Sequence, residues 1–191
     1  MAAKSTLRNM VLCLSGVCLV CSAVLAGAYA ITVKPIEAAQ VAKTNASIAK
    51  VLPPFSGNAV ADTVTVDGTA YSYYRVEGSG YAVISAANGF SGPVTVMVGI
   101  TEDGIIHNTT VLSQSETPGL GAKCQTDENF INQFRGWDPS VKSLTVKKDG
   151  GDVDAITAST ITSRAYSLAV SNAVKVYKTL TAANEGGQEN E

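Results

Sequence analysis

The run from Met10 to Val33 carries no charged residue, and it constrains the chain more than any other feature. A helix rises about 1.5 Å per residue, so this run is long enough to cross a hydrocarbon core of about 30 Å. It predicts a transmembrane helix. Lys4 and Arg8 precede it, whereas Lys34 followed by Glu37 comes after. That bias favours a cytoplasmic N-terminus and a domain on the other side. The rival reading is a cleaved signal peptide, because Lys4 and Arg8 make a basic n-region and Ala28-Tyr29-Ala30 resembles a small-residue cleavage site. The uncharged run exceeds the usual length of an h-region, which favours retention as an anchor.

The rest of the 191 residues accommodates one modest globular domain, with little room for a second core. A net charge of -2 offers no basic face for nucleic acid, and no Cys/His set has structural-zinc spacing. Cys13, Cys18 and Cys21 fall inside the apolar run, where they serve as small membrane-compatible side chains. Cys124 alone lies beyond it, so the domain has no partner cysteine for an internal disulfide. The single histidine, His107, falls in a predicted strand, and no nucleophile, base and orienter triad is proposed around it unless a partner supplies residues. Hydrolysis is a poor hypothesis.

After Pro35, residues 36–52 are alanine-rich with Val41, Ile48 and Val51 roughly on one face, which predicts a juxtamembrane helix ended by Pro53-Pro54. Strand signals follow at 62–66, 69–76, 81–86, 94–100 and 105–112, separated by glycine-containing turns. Asp67-Gly68 and Asp103-Gly104 are tight-turn candidates, because glycine tolerates the positive φ of primed hairpin turns. Residues 129–134 can form one or two helical turns, and 141–147 reads as a further strand. From Ser163 to Leu180, Ala165, Leu168, Ala169, Asn172, Ala173, Val176 and Leu180 recur with the helical period, predicting a helix packed on the sheet. Glu102, Asp103, Asp127 and Glu128 read as solvated loop charge, and Trp137 with the tyrosines at 71, 73, 74 and 81 as packing residues. Hairpins followed by a terminal helix imply an α+β fold with an antiparallel sheet.

Thr157, Thr160, Thr162 and Ser163 cluster at the start of that last helix. Their hydroxyls lie beside backbone N–H groups that lack intrahelical acceptors, and the positive end of the helix dipole favours an anion there. Arg164 adds a positive charge. Such Ser/Thr enrichment by itself is ordinary capping.

The stretch Val146-Lys-Lys-Asp-Gly-Gly-Asp-Val-Asp-Ala-Ile-Thr-Ala-Ser-Thr-Ile-Thr-Ser-Arg-Ala165 resembles the attachment region of the FMN-binding domain shared by the G subunit of Rnf electron-transport complexes and the C subunit of sodium-translocating NADH:quinone reductases. The family pattern is Asp, two residues, Ser or Thr, Gly-Ala-Thr, one variable residue, then Ser or Thr. Asp154, Thr157, Thr160 and Thr162 match it. Ala158-Ser159 stands where the pattern has Gly-Ala. Of the two departures Ala158 matters more, because a Cβ restricts a backbone position that glycine leaves free. Ser115-Glu-Thr-Pro-Gly-Leu-Gly121 is similar to a second family segment, Glu-Thr-Pro-Gly-Leu-Gly, and Gly78-Ser-Gly-Tyr81 with Gly92 adds further agreement.

The resemblance implies FMN esterified through its phosphate to Thr160, with Thr157, Thr162 and Ser163 beside it. It implies a flavin transferase that takes FMN from FAD and recognises Asp154. Glu116, Thr117, Gly119, Leu120 and Gly121 would lie against the flavin ring or close its site, and Lys123 would face the cofactor or solvent. The implied organisation is residues 1–9 as a cytoplasmic N-terminus, 10–33 as the transmembrane helix, 34–54 as a juxtamembrane helix or linker, 55–182 as an extracytoplasmic FMN-binding domain, and 183–191 as a flexible acidic tail. The implied protein is a single-pass electron carrier of the cytoplasmic membrane, working with Rnf-type membrane and iron-sulfur subunits that couple ferredoxin and NAD oxidoreduction to ion transport. The C subunit of a quinone reductase, another flavinylated carrier and a membrane module without flavin are the alternatives. The short chain favours the Rnf-type reading.

Overall fold

In the computed structural model, which describes residues 7–55 and 57–187, five strands form one antiparallel sheet in strict chain order. They are β1 (Val60–Val66), β2 (Thr69–Val76), β3 (Gly80–Asn88), β4 (Pro93–Ile100) and β5 (Ile106–Ser113). The helices are α1 (Leu7–Val51), α2 (Glu128–Asn132) and α3 (Thr160–Gly187). The turn chemistry explains the meander. Asp67 and Gly68 both take positive φ, 51° and 76°, as a primed two-residue hairpin requires. Gly104 at φ 82° closes the β4–β5 loop through its N–H bond to the Thr101 carbonyl.

The chain divides into two compact units, Met1–Thr44 and Asn45–Glu191. The described part of the first unit is helical, with Leu12, Leu14, Leu19 and Leu25 among its exposed apolar side chains. Its helix contains an 18-residue window of mean hydropathy 2.4, long and apolar enough to cross a bilayer. The break expected between a membrane segment and a separate juxtamembrane helix is absent: Pro35 lies inside α1. A proline interior to a helix loses one N–H bond and crowds the carbonyl four residues back. The alanine-rich sequence after it favours continuing the helix. α1 ends at Val51, just before Pro53-Pro54.

In the second unit the sheet is covered on both faces. One face carries Tyr81, Val83, Val94, Val96, Val98 and Ile100 in a core completed by Ala165, Tyr166, Ala169, Val170, Ala173 and Tyr177 of α3. On the other, Val76, Ala82 and Met97 pack with Ile48, Val51 and Leu52 from the end of α1 and the residue after it. This double cover explains why β4 is buried almost continuously instead of alternating. Gly99 is required here, since a Cβ would lie 2.0 Å from the Val51 carbonyl oxygen. Asn108 of β5 donates to the Lys50 carbonyl at 2.9 Å, satisfying one of the acceptors left open at a helix end.

Three sequence expectations are corrected. Residues 141–147 form no strand: apart from a parallel bridge between Val146 and Val153, they run as irregular loop into a 3-10 turn at Lys147–Asp149. Their backbone groups bond within the loop, Val153 N–H to Thr145 and Lys147 N–H to Val153. Asp127 is no solvated bystander, because its carboxylate accepts the N–H groups of Asn129 and Phe130 and caps α2. α3 begins at Thr160, earlier than Ser163, and Leu168 is 53% exposed on it while Tyr166, Val170, Val174 and Tyr177 are buried. Those tyrosines enter the core because their hydroxyls find acceptors, Thr109 Oγ1 at 2.8 Å and the Glu102 carbonyl at 2.6 Å. α3 runs to Gly187, into the expected tail, and residues 188–191 lie outside the described residues.

Candidate functional site

Three connections meet where α3 starts. The β3–β4 turn brings Phe90, the loop after β5 brings Glu116 to Gly121, and the first turn of α3 brings residues 158–162. Together they line a cleft of about 370 Å³. Its lip is apolar and open to solvent: Phe90 is 71% exposed, Ile161 49% and Leu120 45%. Its floor is polar and buried.

Glu116 organises that floor. The side chain is 5% exposed. Oε1 accepts the Ser91 N–H at 2.9 Å, and Oε2 accepts the hydroxyl of Thr162. One carboxylate therefore joins all three connections. The close fit requires glycine at two neighbours: a Cβ on Gly89 would sit 2.5 Å from Glu116 Oε1, and one on Gly121 would sit 2.6 Å from both Glu116 Oε2 and Thr162 Oγ1.

The hydroxyls near the helix start have separate fates. Thr162 is committed to Glu116. Ser163 is fully buried, donates to the Ser159 carbonyl at 2.9 Å and accepts the Ile156 N–H at 2.9 Å, so it builds the helix start and does not line the cleft. Ser159 is 6% exposed and its Oγ has no hydrogen-bond partner. Thr157 is exposed in the preceding turn, outside the cleft lining. Thr160, the first helical residue, is half-buried on the cleft and accepts a hydrogen bond from Lys148 Nζ at 3.2 Å. Ala158 stands at φ 61°, in the left-handed region that glycine occupies without penalty.

Of the other expected site residues, Glu116, Thr117, Leu120 and Gly121 line the cleft. Gly119 supplies the turn, with φ 77°. Lys123 is exposed on the 3-10 turn Gly121–Gln125, outside the cleft lining. Asp154 is exposed and paired with Lys147 at 2.7 Å, while its backbone is held on both sides by the Gln133 amide. Arg164 is not available to an anion as the sequence suggested. It forms two 2.6 Å bonds to Asp149, which hold that carboxyl below the ordinary carboxylate value. Phe90 and Lys148 are the contributors that sequence reasoning missed. An aromatic between Gly89 and Gly92 was the available signal for the first; the second depends on a contact across twelve residues.

Residues 89–175 match the FMN-binding domain family. The matched segment is a little under half of the chain and is what this chain has in common with that family. The match runs from the turn bearing Phe90 into α3, so all three connections around the cleft fall within the matched segment. The chain is 45% identical over 95 residues to the G subunit of the ion-translocating oxidoreductase complex of Erwinia tasmaniensis, covering 48% of this chain and 43% of the relative. It is 39% identical over 105 residues to the G subunit of the Na+-translocating ferredoxin:NAD+ oxidoreductase complex of Acetobacterium woodii, covering 53% and 51%. The chain spans about half the length of these curated relatives. A solved structure, the C subunit of the Na+-translocating NADH-quinone reductase of Parabacteroides distasonis, aligns over 65% of this chain and 75% of that one, with a TM-score of 0.46 and 23% identity.

The cleft fits the chemistry of FMN. Phe90, Leu120 and Ile161 offer an apolar lip to a planar ring, and the absent Cβ of Gly121 lets the backbone approach. Across from that lip, the first amides of α3 offer an anion its partners, with Lys148 behind them on Thr160.

Proposed function

We propose that this FMN-binding domain carries its cofactor as a phosphoester on Thr160 and serves as the electron carrier of an Rnf-type ion-translocating ferredoxin:NAD oxidoreductase complex. The observation that carries the reading is the state of the hydroxyls. Thr162 and Ser163 are spent on internal bonds and Ser159 is buried, whereas Thr160 presents a hydroxyl on the cleft at the start of α3. The likeness to G subunits supports the assignment to an Rnf-type complex.

FMN, when bound, supplies one- and two-electron redox chemistry; the chain supplies its position and surroundings. Phe90, Leu120 and Ile161 hold the ring and screen it from water on one side. Thr117, Gly119 and Gly121 shape the loop that closes on it, and Glu116 fixes that loop to α3. Asp154, exposed in the segment leading to α3, is the recognition point for the flavin transferase, which must displace its exposed pairing with Lys147. The apolar stretch of α1 anchors the protein in the cytoplasmic membrane, with the N-terminus cytoplasmic and the FMN-binding domain outside. Membrane and iron-sulfur subunits of the complex are its exchange partners.

The test is intact mass with peptide mapping of the protein from its native membrane, together with flavin fluorescence in a denaturing gel. Thr160 should carry the mass of one FMN less water. Thr160→Ala should lose it with the fold intact, and Ser159→Ala should keep it. An unmodified Thr160 in cells that flavinylate related proteins would overturn the covalent reading, and copurified membrane subunits identify the complex.

A further inference from the structure

Three consecutive residues of one 3-10 turn each grip a different point of the attachment segment. Lys147 pairs with Asp154 at 2.7 Å, Lys148 donates to Thr160 at 3.2 Å, and Asp149 receives two 2.6 Å bonds from Arg164. The turn is itself fixed. Gly150 closes it at φ 86°, and Gly151 follows where a Cβ would lie 2.1 Å from the Thr145 carbonyl oxygen. Lys147 and Arg164 are thereby matched to carboxylates, which leaves Lys148 as the cation of this turn that bonds to a cleft-lining residue, Thr160. We propose that Lys148 is a positioning residue for flavin attachment: it orients the Thr160 hydroxyl for phosphoryl transfer and then pairs with the phosphodiester formed there. This rests on Thr160 being the attachment site.

A lysine ammonium only donates, so its bond to Thr160 Oγ1 occupies a lone pair and leaves the hydroxyl proton to point elsewhere. In attachment, Thr160 Oγ1 bonds to the flavin-side phosphorus of FAD and the pyrophosphate P–O bond breaks. AMP leaves with the bonding pair, and the Thr160 proton passes to a base on the transferase. The product is a phosphodiester with one negative charge, placed where Lys148 already reaches.

The experiment loads the full-length chain in detergent with a flavin transferase and FAD. Loading is followed by intact mass, and the 31P resonance of the loaded protein is then recorded. Lys148 is exposed, so its substitution leaves the core untouched. Lys148→Ala and Lys148→Gln should load roughly tenfold more slowly, the scale of one charge-assisted hydrogen bond, and should shift the phosphorus resonance. Lys148→Arg should recover much of both by keeping the charge. Loading of Lys148→Ala at the wild-type rate overturns the proposal. So does slow loading with an unmoved resonance, which would place Lys148 in transferase docking alone. A wild-type chain that never gains mass on Thr160 refutes the attachment reading and this inference with it.

Discussion

Thr162 donates its hydroxyl to Glu116, tying the first turn of α3 to the loop that follows β5. The same carboxylate accepts the Ser91 N–H. Glu116→Ala would strand both donors, and an unpaired buried donor costs about 1–3 kcal/mol. The expected loss is about 3 kcal/mol in urea denaturation of the detergent-solubilised protein. Glu116→Gln keeps an acceptor for Ser91 and should lose about 1 kcal/mol. A loss well under that in the alanine variant would mean that the three connections are held together by other contacts.

Ala158 sits at φ 61°, where an L side chain is strained by roughly 1–2 kcal/mol. Ala158→Gly removes that strain but adds backbone freedom to the unfolded chain, a smaller opposing effect. The net expectation is a gain of roughly 0.5–1 kcal/mol, read as a higher melting temperature, with flavin loading undiminished. A lower melting temperature would show that the methyl group makes contacts worth more than the strain.

Gly119 and Gly121 should respond to alanine for different reasons. At Gly119 nothing lies within 4 Å of a new Cβ, so the cost is that of φ 77° alone, about 1 kcal/mol. At Gly121 the new atom would press on Glu116 and Thr162 at 2.6 Å, adding an overpacking cost of about 1–3 kcal/mol and shifting the floor of the cleft. Noncovalent FMN binding by a Thr160→Ala background, measured by fluorescence quenching, should weaken with Gly121→Ala more than with Gly119→Ala. Equal effects would count against close packing at residue 121.

Cys124 is fully buried, and burial first, then the nearby Glu116 carboxylate, pushes its thiol from the ordinary 9.0 up to about 11. Burial also raises the Tyr166 hydroxyl. The folded chain keeps the Cys124 proton between pH 9.0 and about 11, where the unfolded chain releases it. This contribution is therefore complete below pH 9.0 and is lost as pH climbs through that window. Cys124→Ala should flatten the alkaline decline between pH 9.0 and about 11 while losing packing energy at neutral pH. In the folded wild type, the thiol should resist alkylation at about pH 8 and react on unfolding.

The hairpins were legible because their turns demand particular residues: Asp67-Gly68 and Asp103-Gly104 announce reversals whatever lies around them. α3 was legible from its period, though its buried arc was misjudged because Tyr166 and Tyr177 have polar tips whose partners, Thr109 and Glu102, are distant in sequence. Residues 141–147 have strand-like composition yet bond within their own loop. Pro35 read as a boundary because its local penalty is visible in sequence, whereas the cooperative continuation of the helix is not. At the site, the Thr160 region and the Glu116 loop stood out as motifs. The bond from Thr162 to Glu116 spans 46 positions and the contact of Lys148 with Thr160 spans 12, so no window along the chain could show either.

Ile48, Val51 and Leu52 make the end of α1 a working part of the sheet's second face. The unit that can be excised intact therefore starts near Asn45, not at residue 55 where the sequence alone would start the domain. A protease or a cloning boundary that cuts at Pro54 would bare Val76, Ala82 and Met97 to water. The fragment so released would be sticky and prone to self-association, even with every residue around Thr160 still present.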